Sequence, residues 1–441
     1  MNQKNVLIFG AGMVAPPVIK YFLENTDYRI VVADQVYSKA IKLAGNTERT
    51  EALKLNINEV KKVDKEISRA DAVISVLPYT FHPVVAEYCI KQRKHLITAS
   101  YISDSMRKLD ERAKEAGIIL LNEIGLDPGI DHMEAMRIIH KIKDEGGQID
   151  TFISFCGGLP APEANTNPLG YKFSWSPLGV LLAGKNPAKY LKNGRNVKVA
   201  PEDLFKNPVK INIEGIGELD GYPNRNSLPY IDIYGIQAAT TMLRGTLRYK
   251  GWCAFIQAAV EIGFLEEESK NWKGFSYESM MRELIQDAGN ADIKTALSDF
   301  LHLDVDSDVI KTFEWLGFFQ KKPLPLESGS ALGILTQNLQ ANLKYKKGER
   351  DMIILQHMFH AKYPDGRGKK IVSSLIDFGI PDGDTSMART VGLPLAIGTR
   401  LILEKKIKKT GIQIPVIPQI YQPVLKELNV LGIGFKETIN Q

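Results

Sequence analysis

Hydrophobic and polar positions follow one rule over the first 126 residues and another after it. Residues 6–9 (VLIF) form a short unbroken apolar run, the pattern of a strand buried on both faces of a parallel sheet. A helix is predicted over 16–25 and a strand over 29–33. ADAVISVLP (70–78) reads as another buried strand, and PVVAEYCIKQR (83–93) as a helix with Pro83 in its first turn. KHLITAS (94–100), a helix over 107–116, and GIILLNEIG (117–125) continue the alternation. Such βαβα order implies a parallel sheet with helices on both faces.

At Asp127-Pro128-Gly129 the pattern breaks on residues that favour a turn. A helix over 131–143 follows, then strand-like stretches at 151–158 (TFISFCGG), 209–215 (VKINIEG) and 240–249 (TTMLRGTLRY). Between them run long segments rich in Pro, Gly and Asn, at 157–173 and 218–230. Loops of that length in a compact domain are more often functional than idle. Residues 251–345 turn amphipathic with helical spacing, as in SYESMMRELIQDA. Residues 350–379 read as a hairpin turning at Pro364-Asp365-Gly366. A last helix is expected to start at Asp384 as N-cap and to end in the basic run after Leu403.

The chain of 441 residues is long enough for two or three domains, and 44% hydrophobic with 24% charged residues is ordinary globular composition. A net charge of +5, scattered along the chain, speaks against a nucleic-acid partner and suits a small, strongly anionic substrate. Cys89, Cys156 and Cys253 have neither metal-ligand spacing nor a disulfide pattern, so a reducing compartment is expected and no metal. No apolar stretch approaches a membrane span. The expected location is cytoplasmic, or an organelle whose targeting peptide is absent here.

The chemistry begins at residues 10–15. GAGMVA matches G-x-G-x-x-G/A between a strand and a helix, the context in which that motif binds a dinucleotide (a Rossmann domain). Gly10, Ala11, Gly12, Met13 and Val14 are therefore expected against the pyrophosphate, with N–H groups of the following helix. Asp34 ends the second strand, 24 residues after Gly10, where a carboxylate accepts from ribose hydroxyls and repels a 2′-phosphate. No arginine follows it, so NAD is expected over NADP. Leu77, Ala99 and Ser100 fall at carboxyl ends of parallel strands, where such sheets bind ligands.

Seven strings in one order, SVLPYTFHP, TASYIS, GLDPGIDHM, FCGGLPAPEANTNPLGYKFSWSPLGVL, GYPNRNSLPY, LRGTLRYKGW and DTSMARTVGLP, closely resemble the glutamate-forming saccharopine dehydrogenases (saccharopine reductases). The resemblance runs from Val6 to about Ile433 and is strongest to the saccharopine dehydrogenase half of the bifunctional lysine-degrading enzyme of animals. It implies oxidation of the C–N bond of saccharopine to give glutamate and aminoadipate semialdehyde, on a homodimer. It implies an α/β fold with a Rossmann domain (1–126 and about 385–441), an α+β substrate and dimerisation domain with a mixed sheet (127–250 and 346–384), and a small helical insert (251–345). The two domains are expected to close over the ligands near Asp127.

Saccharopine carries three carboxylates, an ammonium and a secondary amine, so its site needs cations, an acceptor and a base. Arg225, Thr246 and Arg248 are carried over as substrate contacts, and Arg225 suits bidentate carboxylate binding. Arg244, Thr246 and Arg248 share one strand face at i, i+2, i+4, with Arg244 behind the other two. Ser100 and Tyr101 fall where cofactor and substrate meet. Asp127 can bind the ammonium or relay a proton, and Cys156 can assist proton transfer or simply pack. His132 reads as structural. His357 and His360, three apart in a strand, point to opposite faces and make a poor metal pair. Two other readings share the cofactor half: a relative acting on a carboxyspermidine-type imine, against which the arginines argue, and an inactive dinucleotide-binding sensor.

Overall fold

A computed structural model of the chain describes residues 3–289 and 291–440. It divides into two compact units, Met1–Ile149 with Ala361–Gln441, and Asp150–His360. These boundaries lie inside strands Gln148–Pro160 and Asp351–Lys362, downstream of the expected junction at Asp127 and upstream of the one near residue 385.

The first unit is built on six parallel strands, β1 (Asn5–Phe9), β2 (Arg29–Asp34), β3 (Thr50–Lys54), β4 (Ala72–Ser75), β5 (His95–Ile97) and β6 (Ile119–Leu121), with a short seventh, Gly411–Gln413, from the far end of the chain. Their order is Gly411–Gln413, β6, β5, β4, β1, β2, β3, all parallel. The central strands β1 and β4 are near-continuous apolar runs because helices cover both faces, whereas the edge strand β3 (TEALK) is half-exposed. On one face Leu7, Phe9, Val73 and Leu96 pack with Val63 and Ile67 of helix Val60–Arg69 and Val85, Ala86 and Cys89 of helix His82–Gln92. Each such side chain, removed from water, contributes on the order of 1.5–3 kcal/mol. On the other face helix Pro16–Asn25 packs against Ser386–Leu403. Strand order reverses between β1 and β4, and the crevice beyond their carboxyl ends is where open α/β sheets bind ligands.

The cap of Ser386–Leu403 is Thr385, whose hydroxyl accepts from the Ala388 N–H at 3.0 Å, so the N-cap lies one residue beyond the expected Asp384. The helix expected over 107–116 is two short ones, Asp104–Arg107 and Asp110–Glu115. This unit also carries helix Ile130–Asp144 and the antiparallel pair Gly368–Phe378 with Lys436–Asn440.

The second unit centres on a mixed sheet. Its strands run Val209–Ile213, Gly217–Pro223, Thr241–Arg248, then Gln148–Pro160 and Asp351–Lys362. Thr241–Arg248 pairs antiparallel with Gly217–Pro223 and parallel with Gln148–Pro160. The amphipathic stretch supplies helices Trp252–Ile262, Tyr277–Ile285, Ile293–Leu301, Asp308–Trp315 and Ala331–Asn342, together with a two-stranded piece, Ser269–Asn271 with Ser328–Ser330, that helical spacing did not predict.

Candidate active site

The glycine-rich turn is held between three strands. The Gly10 N–H donates to the Ala33 carbonyl at 2.8 Å and the Val76 N–H to the Phe9 carbonyl at 2.9 Å. Gly10 sits at φ +100°, and a Cβ there would stand 3.1 Å from the Val76 side chain. At Gly12 a Cβ would meet nothing within 4 Å, so the space in front of this turn is open. That is the shape a pyrophosphate needs. The donors differ from those expected, because Pro16 and Pro17 open the helix and have no N–H. The amides left in the turn for phosphate oxygens are those of Gly12, Met13 and Val14.

Asp34 is already engaged. One of its oxygens accepts from the Ala11 N–H at 2.8 Å and the other from the Val36 N–H at 2.7 Å. The carboxylate thus ties the end of β2 to the glycine-rich turn, a structural duty that the NAD expectation left out.

The carboxyl ends of β4 and β5 carry a polar chain that the sequence reading missed. Nδ1 of His82 lies 3.0 Å from the Ser75 hydroxyl, and Nε2 lies 2.8 Å from the Ser100 hydroxyl and 3.1 Å from that of Thr98. The only sequence signal was a histidine just before the Pro83 helix start. Burial pushes the His82 imidazole down to about 4, so it is neutral near pH 7. A folded value below the unfolded one means the unfolded chain binds the extra proton, so stability is full above pH 6.5 and is lost as pH falls toward 4. The expected loss from this group between pH 7 and pH 5 is about 2 kcal/mol. Urea unfolding at those two pH values should show the loss in wild type and a correspondingly smaller one in His82→Gln. Equal losses would contradict a buried neutral ring.

Next along the chain, the Tyr101 hydroxyl donates to Asp127 at 2.8 Å. Two neighbouring features fix this pair. Glu123, at φ +55°, donates its N–H to the Ser100 carbonyl at 3.2 Å and accepts from the Ile102 N–H at 2.9 Å, gripping the segment on both sides of Tyr101. The other Glu123 oxygen meets Nε2 of the fully buried His132 at 2.9 Å, the structural role expected for that histidine. On the Asp127 side, the Gly125 N–H donates to the Pro128 carbonyl at 2.9 Å and the Gly129 N–H to Asp131 at 2.6 Å. Gly129 stands at φ +148°, and a Cβ there would lie 2.1 Å from the Gly125 carbonyl oxygen. Asp-Pro-Gly is therefore a turn folded back on its own backbone, with Asp127 half-buried at its head.

In the second unit, Thr246 lies in register between Cys156 on one side and Tyr222 on the other. Burial pushes the Tyr222 phenol up to about 12, so it stays neutral. Arg248, two residues on, is only 7% exposed. Its guanidinium lies over the rings of Tyr171 and Trp252, 4.9 and 5.7 Å from their centroids. Nη1 donates to the Leu247 carbonyl at 2.7 Å, Nε is buried without a partner, and no acid pairs with it among the described residues. The nearby Asp220 is taken by Lys210 at 2.5 Å. Arg244 lies over the Tyr230 ring at 4.3 Å. Arg225 is exposed at φ +54° on the Pro-Asn loop, and Cys156 is buried.

A parallel sheet whose order reverses between β1 and β4, with an open glycine-rich turn at that switch point, marks a dinucleotide-binding α/β protein. The saccharopine dehydrogenase NADP binding domain matches residues 6–121, and the saccharopine dehydrogenase C-terminal domain residues 125–433. The chain belongs to the saccharopine dehydrogenase family. It is 39% identical to the Saccharomyces cerevisiae saccharopine dehydrogenase (NADP(+), L-glutamate-forming), over 98% of this chain and 99% of that protein. It is 36% identical to the mitochondrial alpha-aminoadipic semialdehyde synthase of Bos taurus, over 98% of this chain and 48% of that protein. The likeness to the animal half is thus no greater than to the fungal enzyme. The solved apo saccharopine dehydrogenase (L-Glu forming) from Saccharomyces cerevisiae superposes with a TM-score of 0.92 at 38% identity, covering 99% of this chain and all of that one. The NADP in these names runs against the NAD preference expected from Asp34.

Proposed function

We propose that the protein oxidises saccharopine with NADP and water to L-glutamate and 2-aminoadipate 6-semialdehyde, a step of lysine metabolism. The observation that carries this reading is Arg248: a buried guanidinium with no acid partner among the described residues, on the strand that also carries Thr246, is a place prepared for an anion. A substrate with three carboxylates supplies it. Names of relatives matched along the full chain support the same substrate.

In this reading the turn formed by Gly10, Ala11, Gly12, Met13 and Val14 holds the pyrophosphate, with Leu77, Ala99 and Ser100 further along the cofactor. A cofactor held there would supply the acceptor for the hydride that leaves the carbon of the C–N unit. The residues of the chain handle charge and protons. Arg225, Thr246 and Arg248 hold carboxylates, and the Tyr101–Asp127 pair takes the proton of the secondary amine and then serves the water that adds to the imine. The carbinolamine collapses to the amine of glutamate and the aldehyde. Cys156 beside Thr246 is a packing neighbour able to assist the proton step.

For the cofactor, Asp34 spends its two oxygens on backbone amides and is less available as a ribose acceptor. Lys54, its register neighbour on β3, is an exposed cation suited to a 2′-phosphate. Purified protein given saccharopine should reduce NADP with a higher kcat/KM than NAD, followed by absorbance of the reduced nicotinamide. A higher value with NAD overturns the cofactor choice, and no turnover with either overturns the substrate.

A further inference from the structure

His82, Ser75, Thr98 and Ser100 form a hydrogen-bonded chain to which the proposed reaction gives no role beyond Ser100 itself. Three of the four are enclosed: His82, Ser75 and Thr98 are 2%, 1% and 1% exposed, while Ser100 is half-buried. The chain therefore opens outward at one place, the Ser100 hydroxyl, at the ligand end of β5. We propose that His82 is a positioning residue that fixes the direction of the Ser100 hydroxyl toward cofactor and substrate.

The argument is one of proton counting. A neutral imidazole has one N–H and one bare nitrogen. If Nδ1–H donates to Ser75, Nε2 accepts the Ser100 proton, and the lone pairs of Ser100 face the ligand. If Nε2–H donates to Ser100, the Ser100 O–H is released toward the ligand, and Nδ1 accepts from Ser75. In the first case the 2.8 Å contact selects one of the three staggered rotations of the hydroxyl, and in the second it closes the one that points at the ring and keeps the hydrogen on the ligand side. Thr98 closes off the alternatives: its oxygen accepts from the Ser100 N–H at 3.3 Å and lies 3.1 Å from Nε2, holding ring and serine backbone in one frame. The ring itself cannot swing away, since it starts helix His82–Gln92 and its other nitrogen is tied to Ser75 on β4. A hydroxyl aimed before the ligand arrives costs nothing to orient during the reaction, the usual gain from preorganisation.

A core-filling histidine would also be buried, so the test must read coupling to Ser100. The proposal rests on the saccharopine reading, and the design separates the two. Ser100→Ala, His82→Asn and the double variant form a cycle. Asparagine places its amide near Nδ1 and leaves Ser100 unheld, whereas His82→Gln reaches the position of Nε2. With saccharopine and NADP, His82→Asn should lower kcat/KM about tenfold in wild type and less than about twofold in the Ser100→Ala background. His82→Gln should recover most of the loss. The same factor in both backgrounds, or a glutamine no better than asparagine, overturns the proposal. If His82→Asn does not fold, Ser75→Ala, which removes one hydroxyl and its bond to Nδ1, takes its place in the cycle with the same expected coupling. Should wild type be inactive on saccharopine, the substrate reading fails, and the cycle is read instead in NADPH affinity by protein fluorescence, where additive effects of the two variants overturn the role of His82.

Discussion

Arg248→Met is expected to lower kcat/KM for saccharopine by about one and a half to three and a half decades, with little change in NADP affinity and a melting temperature that stays level or rises. The size follows from burial. Removing one member of a desolvated, hydrogen-bonded charge pair costs on the order of 2–5 kcal/mol, and each 1.4 kcal/mol is a decade. In the free protein, however, the guanidinium has no acid to answer it among the described residues, only the rings of Tyr171 and Trp252 and a single carbonyl. A buried cation without a counter-charge is a cost to the fold, and a methionine of similar length removes that cost while filling the same space. The two effects have opposite signs, which makes the result diagnostic. Stability and catalysis falling together would mean that Arg248 is a structural ion in a pair, not a waiting anion site. Thermal melts with and without saccharopine add a second check: ligand should stabilise wild type by more than the variant, because it binds the folded state through this contact.

How much of this was legible without coordinates varied with the kind of signal. Five of the six main parallel strands were, because burial on both faces leaves an apolar run that admits few other readings, and the glycine-rich turn sits where its spacing put it; Thr50–Lys54, with no such run, went unread. Residues 218–230 read as loop because of their prolines and asparagines, yet Gly217–Pro223 is a strand beside Thr241–Arg248. The hairpin Ala188–Lys192 with Arg195–Val199 went unread although its signal was present: Asn193-Gly194, both at positive φ, is the favoured two-residue turn. Helix Pro418–Val430, with Pro423 inside it, and the three-residue edge strand Gly411–Gln413 carry too short or too broken a pattern to register. The NAD preference drawn from Asp34, which the NADP in the relatives' names runs against, is of a different kind. A carboxylate at a strand end can serve a ligand, the protein's own amides or both, and the bonds from the Ala11 and Val36 N–H groups are not visible in the sequence. His82 was invisible for the same reason, since its meaning lies in three hydroxyls brought from two other strand ends.

Asp127→Asn should lower kcat by about two to four decades while KM for saccharopine changes little, the loss expected when a positioned acid–base group is removed. The bond from Tyr101 shapes this expectation. A carboxylate has acceptor sites for several donors, so the phenol competes with neither an ammonium nor a proton and acts by orienting the group. For a group that passes a proton, the phenol holds one oxygen and so sets the direction in which the carboxylate meets the reacting amine and the incoming water. Asparagine keeps the size and can still accept from Tyr101, but it cannot take up a proton, so the limb of the pH profile governed by Asp127 should disappear. Tyr101→Phe should keep that limb and shift its midpoint, because the phenyl ring leaves the carboxylate in place without its donor. The alternative has its own signature: if Asp127 only binds the ammonium, Asp127→Asn raises KM, leaves kcat within a few-fold of wild type and preserves both limbs. Steady-state kinetics of the two variants across pH therefore assign the residue, and near-wild-type kcat/KM in both would remove Asp127 from the chemistry altogether.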